Sequence, residues 1–178
     1  MEPLKILAIT QARSGSTRLP DKIFKEINRF TLLDIHVMRI LKSKRISQLL
    51  IATTLNVEDN RVEDKARKLG LPCFRGSVND VLDRYYQASK SYLPDLIVRL
   101  TSDCPLIDAN LIDMVIDRLI EINVDYCSNS LVSTFPDGMD VEVFKFSALE
   151  RAWNNAKLTS EREHVTSYIY NNSTFFNK

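Results

Sequence analysis

Short apolar runs rich in β-branched residues alternate with segments of helical period along most of this sequence. KILAIT, QLLIATT, PCFRG and DLIVRLTS are the first four such runs, and each precedes a segment whose apolar residues recur every three or four positions. Strands and helices that alternate in this way form right-handed βαβ crossovers and a mainly parallel sheet. The sequence therefore predicts an α/β fold with helices on both faces of the sheet.

The last third of the chain predicts two more strands, VDYCSNS and VEVFKF, separated by the turn-rich TFPDG. Two helical stretches follow them, SALERAWNNA and SEREHVTSYIYNN. Among the helix ends, we expect Asn79 and Asp108 to act as N-caps and Gly70 to follow a C-terminus. A length of 178 residues favours a single domain over residues 1–178.

Charge and composition exclude several classes of function. The formal net charge is only +1, so neither nucleic acid nor an anionic membrane is an expected partner on global electrostatics. No apolar run is long enough to span a bilayer, and the first residues, MEPL, lack the features of a signal peptide. The three widely spaced cysteines form no metal-binding pattern, which favours reduced thiols and a cytoplasmic location.

The segment QARSGSTRLPDK, directly after the first strand, concentrates positive charge in a chain with little to spare. Arg13 and Arg18 can bind phosphate oxygens through two parallel hydrogen bonds, and Lys22 offers a point charge. Small residues that let backbone N–H groups approach an anion lie between them: Ser14, Gly15, Ser16 and Thr17. The segment is not a P-loop, and its residues alone fit an anion site and a solvated basic loop equally well.

Four other residues could carry chemistry. Asp103 follows the fourth strand, where a carboxylate fits either a Mg²⁺ site or the cap of a turn. Asp140 and Glu142 are two apart on an expected strand, so they share one face and could bind polar ligand groups or face water. His164 could bind a substrate or be structural, whereas we expect His36 only to pack within its helix.

Five segments of this sequence, taken in order, resemble one family. They are QARSGSTRLPDK, FRGSVNDVLDRYYQA, VRLTSDCPLID, PDGMDVEVF and SEREHVT. The chain is similar to cytidylyltransferases of the spore-coat polysaccharide branch, which are related to the synthetases of CMP-sialic acid and CMP-Kdo. The resemblance extends over essentially the whole chain. It implies a Rossmann-like nucleotidyltransferase fold, in which an oxygen of a sugar or sugar acid attacks the α-phosphate of CTP and pyrophosphate leaves. It also implies Mg²⁺ as cofactor, and relatives are commonly homodimers.

The resemblance also implies a role for each matching residue. Arg13, Arg18 and Lys22 would be the catalytic phosphate ligands, Asp103 the Mg²⁺ ligand. The sugar would lie near Asp140, Glu142 and His164. The remaining nucleotide-binding positions are Ala12, Ser14, Gly15, Ser16, Thr17, Thr53, Arg75, Gly76 and Ser77, with the base near Ala12, Thr53 and the Arg75–Ser77 segment.

Two departures from the family pattern bear on these expectations. Asp21 stands where the family usually has glycine, which places a carboxylate beside the expected triphosphate. The family's late metal-binding carboxylate, in an Asp-x-Pro-Glu-Asp-like segment, has no counterpart here, so we expect the chain to lack the family's C-terminal segment. Two alternatives therefore stay open: a nucleotidyltransferase with another nucleotide or acceptor, and a catalytically impaired nucleotide-binding subunit.

Overall fold

The computed structural model describes residues 3–15, 19–132 and 135–178. Strands are numbered in chain order: β1 Ile6–Gln11, β2 Glu26–Ile27, β3 Phe30–Thr31, β4 Gln48–Thr54, β5 Cys73–Gly76, β6 Leu96–Thr101, β7 Tyr126–Ser128 and β8 Glu142–Lys145. The α-helices are α1 Leu32–Ile40, α2 Asn60–Lys68, α3 Val81–Lys90, α4 Ala109–Ile122, α5 Phe146–Asn155, α6 Thr159–Glu163 and α7 Ser167–Asn171. Single 3₁₀ turns cover Lys22–Phe24 and Val57–Asp59.

Six strands form one sheet in the order β5-β4-β1-β6-β8-β7. The first four pair in parallel, whereas β8 lies antiparallel between β6 and β7. The chain runs outward from β1 through β4 to β5 and then returns to β6 on the other side of β1. The strand order therefore reverses between β1 and β6, and ligands of such sheets bind at this point, outside the carboxyl ends of the strands.

Both faces of the sheet are covered, as the sequence predicts. One face packs against α1, α2 and α4, and the other packs against α3, α5 and α7. Alternation along β1 sends Ile6 and Ala8 into the first layer and Leu7 and Ile9 into the second. No helix in the described ranges is long and apolar enough to cross a membrane.

The helix ends agree with the sequence except in two places. Asp108 caps α4 through hydrogen bonds from two backbone N–H groups, and Gly70 follows α2 with a φ of 68°. The predicted cap of α3 is wrong by one residue, because Asp80 rather than Asn79 accepts a hydrogen bond from a backbone N–H of the first turn. The last predicted helix is divided into α6 and α7, since Val165 between them has a φ of 54°.

Candidate active site

Lys22 and Asp103 meet at the carboxyl ends of β1 and β6. They are 81 residues apart in sequence, yet Lys22 Nζ lies 2.9 Å from Asp103 Oδ2. The 3₁₀ turn at Lys22–Phe24 positions the lysine, and the turn directly after β6 positions the carboxylate. The two residues that the sequence assigns to phosphate and to metal therefore face each other at the strand-order reversal.

The Asp103 carboxylate is held in its ionised form. Partial burial alone would raise its pKa, but hydrogen bonds from Lys22 and Thr101 outweigh this effect and leave the pKa below its ordinary value. Beside the pair lies an open cavity of about 590 Å³, and Leu19, Asp137 and Met139 also line it. An ionised oxygen ligand and an ammonium group thus border a space large enough for a substrate.

A second cavity, of about 290 Å³, lies on the other side of the end of β6. Its wall contains all three residues that the sequence assigns to the sugar, Asp140, Glu142 and His164. Thr101 lines this cavity and Asp103 lines the first, so the two spaces flank the same strand end. We call them the sugar cavity and the phosphate cavity below.

The carboxylate of Glu142 is already engaged within the chain. It forms an ion pair with Arg99, its partner across the β6–β8 register. The other carboxylate oxygen accepts hydrogen bonds from the hydroxyls of Tyr126, at 2.7 Å, and Thr166, at 2.6 Å. Glu142 is buried and orders the cavity wall, which leaves little capacity to bind a sugar hydroxyl.

Asp140 and His164 are the exposed members of the predicted sugar set. Partial burial, followed by the negative charges of Asp137 and Glu142, raises the pKa of Asp140 above its ordinary value. His164 lies directly after α6, where its backbone N–H bonds to Ser160 O at 3.0 Å. Both side chains are therefore accessible to a polar ligand in the sugar cavity.

The start of the predicted phosphate loop is anchored by β4 and by the 3₁₀ turn at Val57–Asp59. Ala12 is buried and its N–H continues the sheet by donating to Ala52 O at 3.0 Å. The backbone N–H of Ser14 donates to Asp59 Oδ1 at 2.7 Å. Arg13 and Gly15, on either side of Ser14, are exposed. Ser16, Thr17 and Arg18 lie outside the described residues.

Arg75 is occupied by structural contacts. Its guanidinium donates to Thr54 O at 3.0 Å, to Asn56 O at 2.8 Å and to Asn60 Oδ1 at 2.6 Å, and it also pairs with Glu63. These hydrogen bonds hold β5 against the segment that follows β4. The predicted base-binding role of Arg75 would therefore be indirect, through the backbone that it holds.

The other predicted base-binding positions differ in accessibility. Thr53 is fully buried, and its hydroxyl has no hydrogen-bond partner in the described part of the chain. A side chain at Gly76 would displace its neighbours, because an added Cβ would lie 2.9 Å from Phe74 Cε1 and 3.0 Å from Arg84 Cγ. Ser77 is half-buried, and its hydroxyl accepts from the N–H of Asp80 at 3.0 Å.

Asp21, the unexpected carboxylate of the loop, does not pair with Lys22. Its Oδ1 accepts a hydrogen bond from Arg61 Nη1 at 2.9 Å, and Arg61 in turn stacks over the ring of Phe24 at 4.3 Å from the centroid. Asp21 has a left-handed backbone with a φ of 53°. Glycine is favoured at such a φ, and aspartate is one of the few other residues that adopt it at low cost.

Comparison with known proteins identifies the family to which this chain belongs. Residues 7–178 match the sequence pattern of the cytidylyltransferase family. The chain belongs to that family. The spore coat polysaccharide biosynthesis protein SpsF of Bacillus subtilis is 36% identical over 176 residues, which are 96% of this chain and 72% of the relative. An uncharacterised protein of Methanocaldococcus jannaschii is 45% identical over 173 residues, 97% of this chain and 70% of that protein.

Solved structures agree with the cytidylyltransferase assignment. A cytidylyltransferase from Leptospira borgpetersenii superposes with a TM-score of 0.89 and 37% sequence identity, covering 99% of this chain and 74% of that one. A CMP-Kdo synthetase solved with CTP has a TM-score of 0.72 at 14% identity, covering 96% of this chain and 86% of that one, a likeness of fold alone. The predicted family, its spore-coat branch, the Rossmann-like fold and the enzyme class are therefore confirmed.

Sequence reasoning on this cytidylyltransferase missed three residues that line the sugar cavity: Arg99, Tyr126 and Thr166. Arg99 left a signal, because a charged residue interrupts the apolar run LIVRL of a central strand. Tyr126 and Thr166, whose hydroxyls donate to Glu142, left no such signal in the sequence, because they lie in β7 and in the turn before α7.

The donor set at Asp103 fits the Mg²⁺ that the family implies. Within the described ranges, no group of three or more His, Cys, Asp or Glu side chains is arranged to hold a metal ion. Mg²⁺ is commonly bound by one or two carboxylates together with substrate phosphates and water. An ionised Asp103 beside the phosphate cavity supplies one such carboxylate, so a metal here would take its other ligands from the nucleotide.

Proposed function

We propose that this cytidylyltransferase transfers the cytidylyl group of CTP to an oxygen of a sugar or a sugar acid and releases pyrophosphate. Polysaccharide biosynthesis is the pathway class that the relationship to SpsF supports. One observation carries the proposal: Lys22 and Asp103 meet at 2.9 Å in the phosphate cavity, next to the cavity that holds the predicted sugar residues. Homodimer formation and a cytoplasmic location stay predictions.

The reaction needs little covalent participation by the protein. The acceptor oxygen forms a bond to the α-phosphorus, the bond from that phosphorus to the bridging oxygen breaks, and pyrophosphate leaves with the electron pair. Such transfers depend on positioning and on neutralising charge. Mg²⁺ at Asp103 would neutralise phosphate oxygens. Lys22 would exchange its ion pair with Asp103 for contacts with the triphosphate.

The acceptor would bind in the sugar cavity, where Asp140 and His164 are free to contact its hydroxyls. Asp140 and His164 are also the candidates to accept the proton that the acceptor oxygen loses, because both are exposed there. Glu142 would act through the wall that it orders with Arg99, Tyr126 and Thr166.

Pyrophosphate release tests the proposal. We would supply CTP, Mg²⁺ and a panel of sugars and sugar acids, with UTP, GTP and ATP as alternative nucleotides. The wild type should release pyrophosphate with CTP and at least one acceptor. Lys22→Ala should slow turnover by about 10²–10³-fold while the melting temperature stays near that of the wild type.

Lys44→Ala is the matched control, because Lys44 is exposed before the amino end of β4, at the edge of the parallel sheet opposite the site. This variant should release pyrophosphate at the wild-type rate. Near-wild-type turnover in Lys22→Ala would refute the assignment of Lys22. Binding of CTP without turnover on any acceptor would instead favour a nucleotide-binding subunit.

A further inference from the structure

Arg84 is a buried arginine with no carboxylate partner among the described residues. It lies in the first turn of α3 and is only 1% exposed. One terminal nitrogen of its guanidinium, Nη1, donates to Ser77 O, whereas its buried Nε has no partner in the described part of the chain. A buried charge of this kind is costly unless an opposite charge compensates it.

The acidic groups nearest to Arg84 are engaged elsewhere. Asp59 accepts hydrogen bonds from Ser14 N and the hydroxyl of Thr54. Asp80 pairs with Arg162, whose Nη2 lies 2.6 Å from its Oδ2. Both carboxylates act on Arg84 only through space and form no ion pair with it among the described residues.

A second cation, Arg13, interacts electrostatically with Arg84. Burial lowers the pKa of Arg84, and the positive charge of Arg13 lowers it further. Arg13 follows β1 and is exposed, whereas Arg84 is buried. Neither arginine forms an ion pair in the described ranges, so both guanidinium groups keep uncompensated positive charge.

Arg84 contacts the segment that is expected to bind the nucleotide. Its side chain packs against Gly76 at the end of β5, where an added Cβ would lie 3.0 Å from Arg84 Cγ. Its bond to Ser77 O holds the segment in which the base is expected. Arg84 therefore contacts the predicted base segment, where the phosphates are the only anionic groups that a bound nucleotide brings.

We propose that the phosphates of the bound nucleotide supply the counter-charge of Arg84, which makes this buried arginine a determinant of triphosphate affinity. The proposal rests on the proposed function, because it takes CTP as the ligand. The proposal has a distinguishing consequence: Arg84 stabilises the nucleotide-bound protein and destabilises the nucleotide-free protein.

Arg84→Met tests the proposal, since methionine fills similar space without charge. Without ligand, its melting temperature should equal or exceed that of the wild type, because a buried unpaired charge has been removed. Its Kd for CTP, measured by calorimetry, should rise about tenfold or more, and its Kd for CMP should rise far less. Arg118→Met, which changes an exposed arginine of α4, should alter neither quantity.

Arg84→Lys keeps the charge and alters the bond to Ser77, so it covers the case in which the methionine variant folds poorly. This variant should retain most of the affinity for CTP. A loss of stability in Arg84→Met with unchanged affinity for CTP would overturn the proposal in favour of a structural arginine. A loss of affinity in Arg84→Lys as large as in Arg84→Met would also overturn it. Failure of the wild type to bind CTP would instead refute the proposed function.

Discussion

At the scale of single residues, Asp21 departs from the family pattern, yet its side chain does not interfere with the candidate phosphate site. The sequence indicates a carboxylate beside the triphosphate, and charge alone predicts weaker nucleotide binding. The structure instead directs this carboxylate to Arg61, and the backbone at Asp21 has a left-handed φ of 53°, a conformation that glycine adopts readily. Asp21 thus preserves the shape of the turn that positions Lys22.

Asp21→Gly should therefore have little effect. The substitution relieves the cost of a left-handed aspartate and loses an exposed ion pair, so we expect the free energy of unfolding to change by less than about 1 kcal/mol. Pyrophosphate release with CTP should stay within about twofold of the wild type, since the charges at Lys22 are unchanged. Denaturant unfolding and a steady-state assay measure the two quantities.

Asp21→Ala is the informative contrast for this position. Alanine adopts a positive φ poorly, so this variant should lose about 1 kcal/mol of stability relative to Asp21→Gly. A tenfold drop in turnover in Asp21→Gly would contradict our account and would mean that the aspartate acts in the site.

At the scale of elements, His36 joins three parts of the fold. The sequence predicts only packing within α1, whereas the structure shows that His36 also forms two hydrogen bonds to other elements. Its Nε2 lies 2.8 Å from Thr10 Oγ1 in β1, and its Nδ1 lies 2.9 Å from Cys104 O in the turn after β6. This histidine therefore supports the turn that presents Asp103, the predicted metal ligand.

The buried His36 should make stability depend on pH. Burial lowers its pKa from 6.5 to about 4. Because the unfolded chain binds this proton more tightly, the stabilisation is complete above about pH 6.5 and is lost as the pH falls towards 4. Between pH 6.5 and 5, His36 alone should cost about 1.5 kcal/mol of unfolding free energy.

Urea unfolding at both pH values measures this loss. His36→Gln cannot titrate, so it should be less stable at pH 6.5 but show a smaller loss on acidification. His164→Gln, at an exposed histidine, should keep the wild-type loss. Equal losses in wild type and His36→Gln would show that His36 does not titrate as described.

The strands of the main sheet were predictable from the sequence, but their pairing was predictable only in part. Periodicity identifies all six strands of the main sheet, because each carries the apolar residues of a buried layer. It does not place β8 between β6 and β7, since that order depends on contacts such as the Arg99–Glu142 pair. The break at Val165 was missed because a β-branched residue seldom adopts a positive φ.

At the scale of the whole molecule, the location of the site could be predicted from topology. Alternating strands and helices place the carboxyl ends of β1 and β6 together, and the cationic loop and Asp103 follow these two strands. The partners of each charged side chain could not be predicted. Arg75 and Glu142 look like ligand-binding residues in sequence, yet most of their hydrogen bonds are made within the chain.

The transfer of isotopic label from CTP tests the central claim most directly. CTP labelled at the α-phosphate and, separately, at the γ-phosphate would be incubated with the protein, Mg²⁺ and an acceptor identified by pyrophosphate release. Our account predicts that the α-label appears in a nucleotide-sugar product and the γ-label in pyrophosphate. Label recovered in CDP and inorganic phosphate, or in CMP without a sugar product, would contradict cytidylyl transfer.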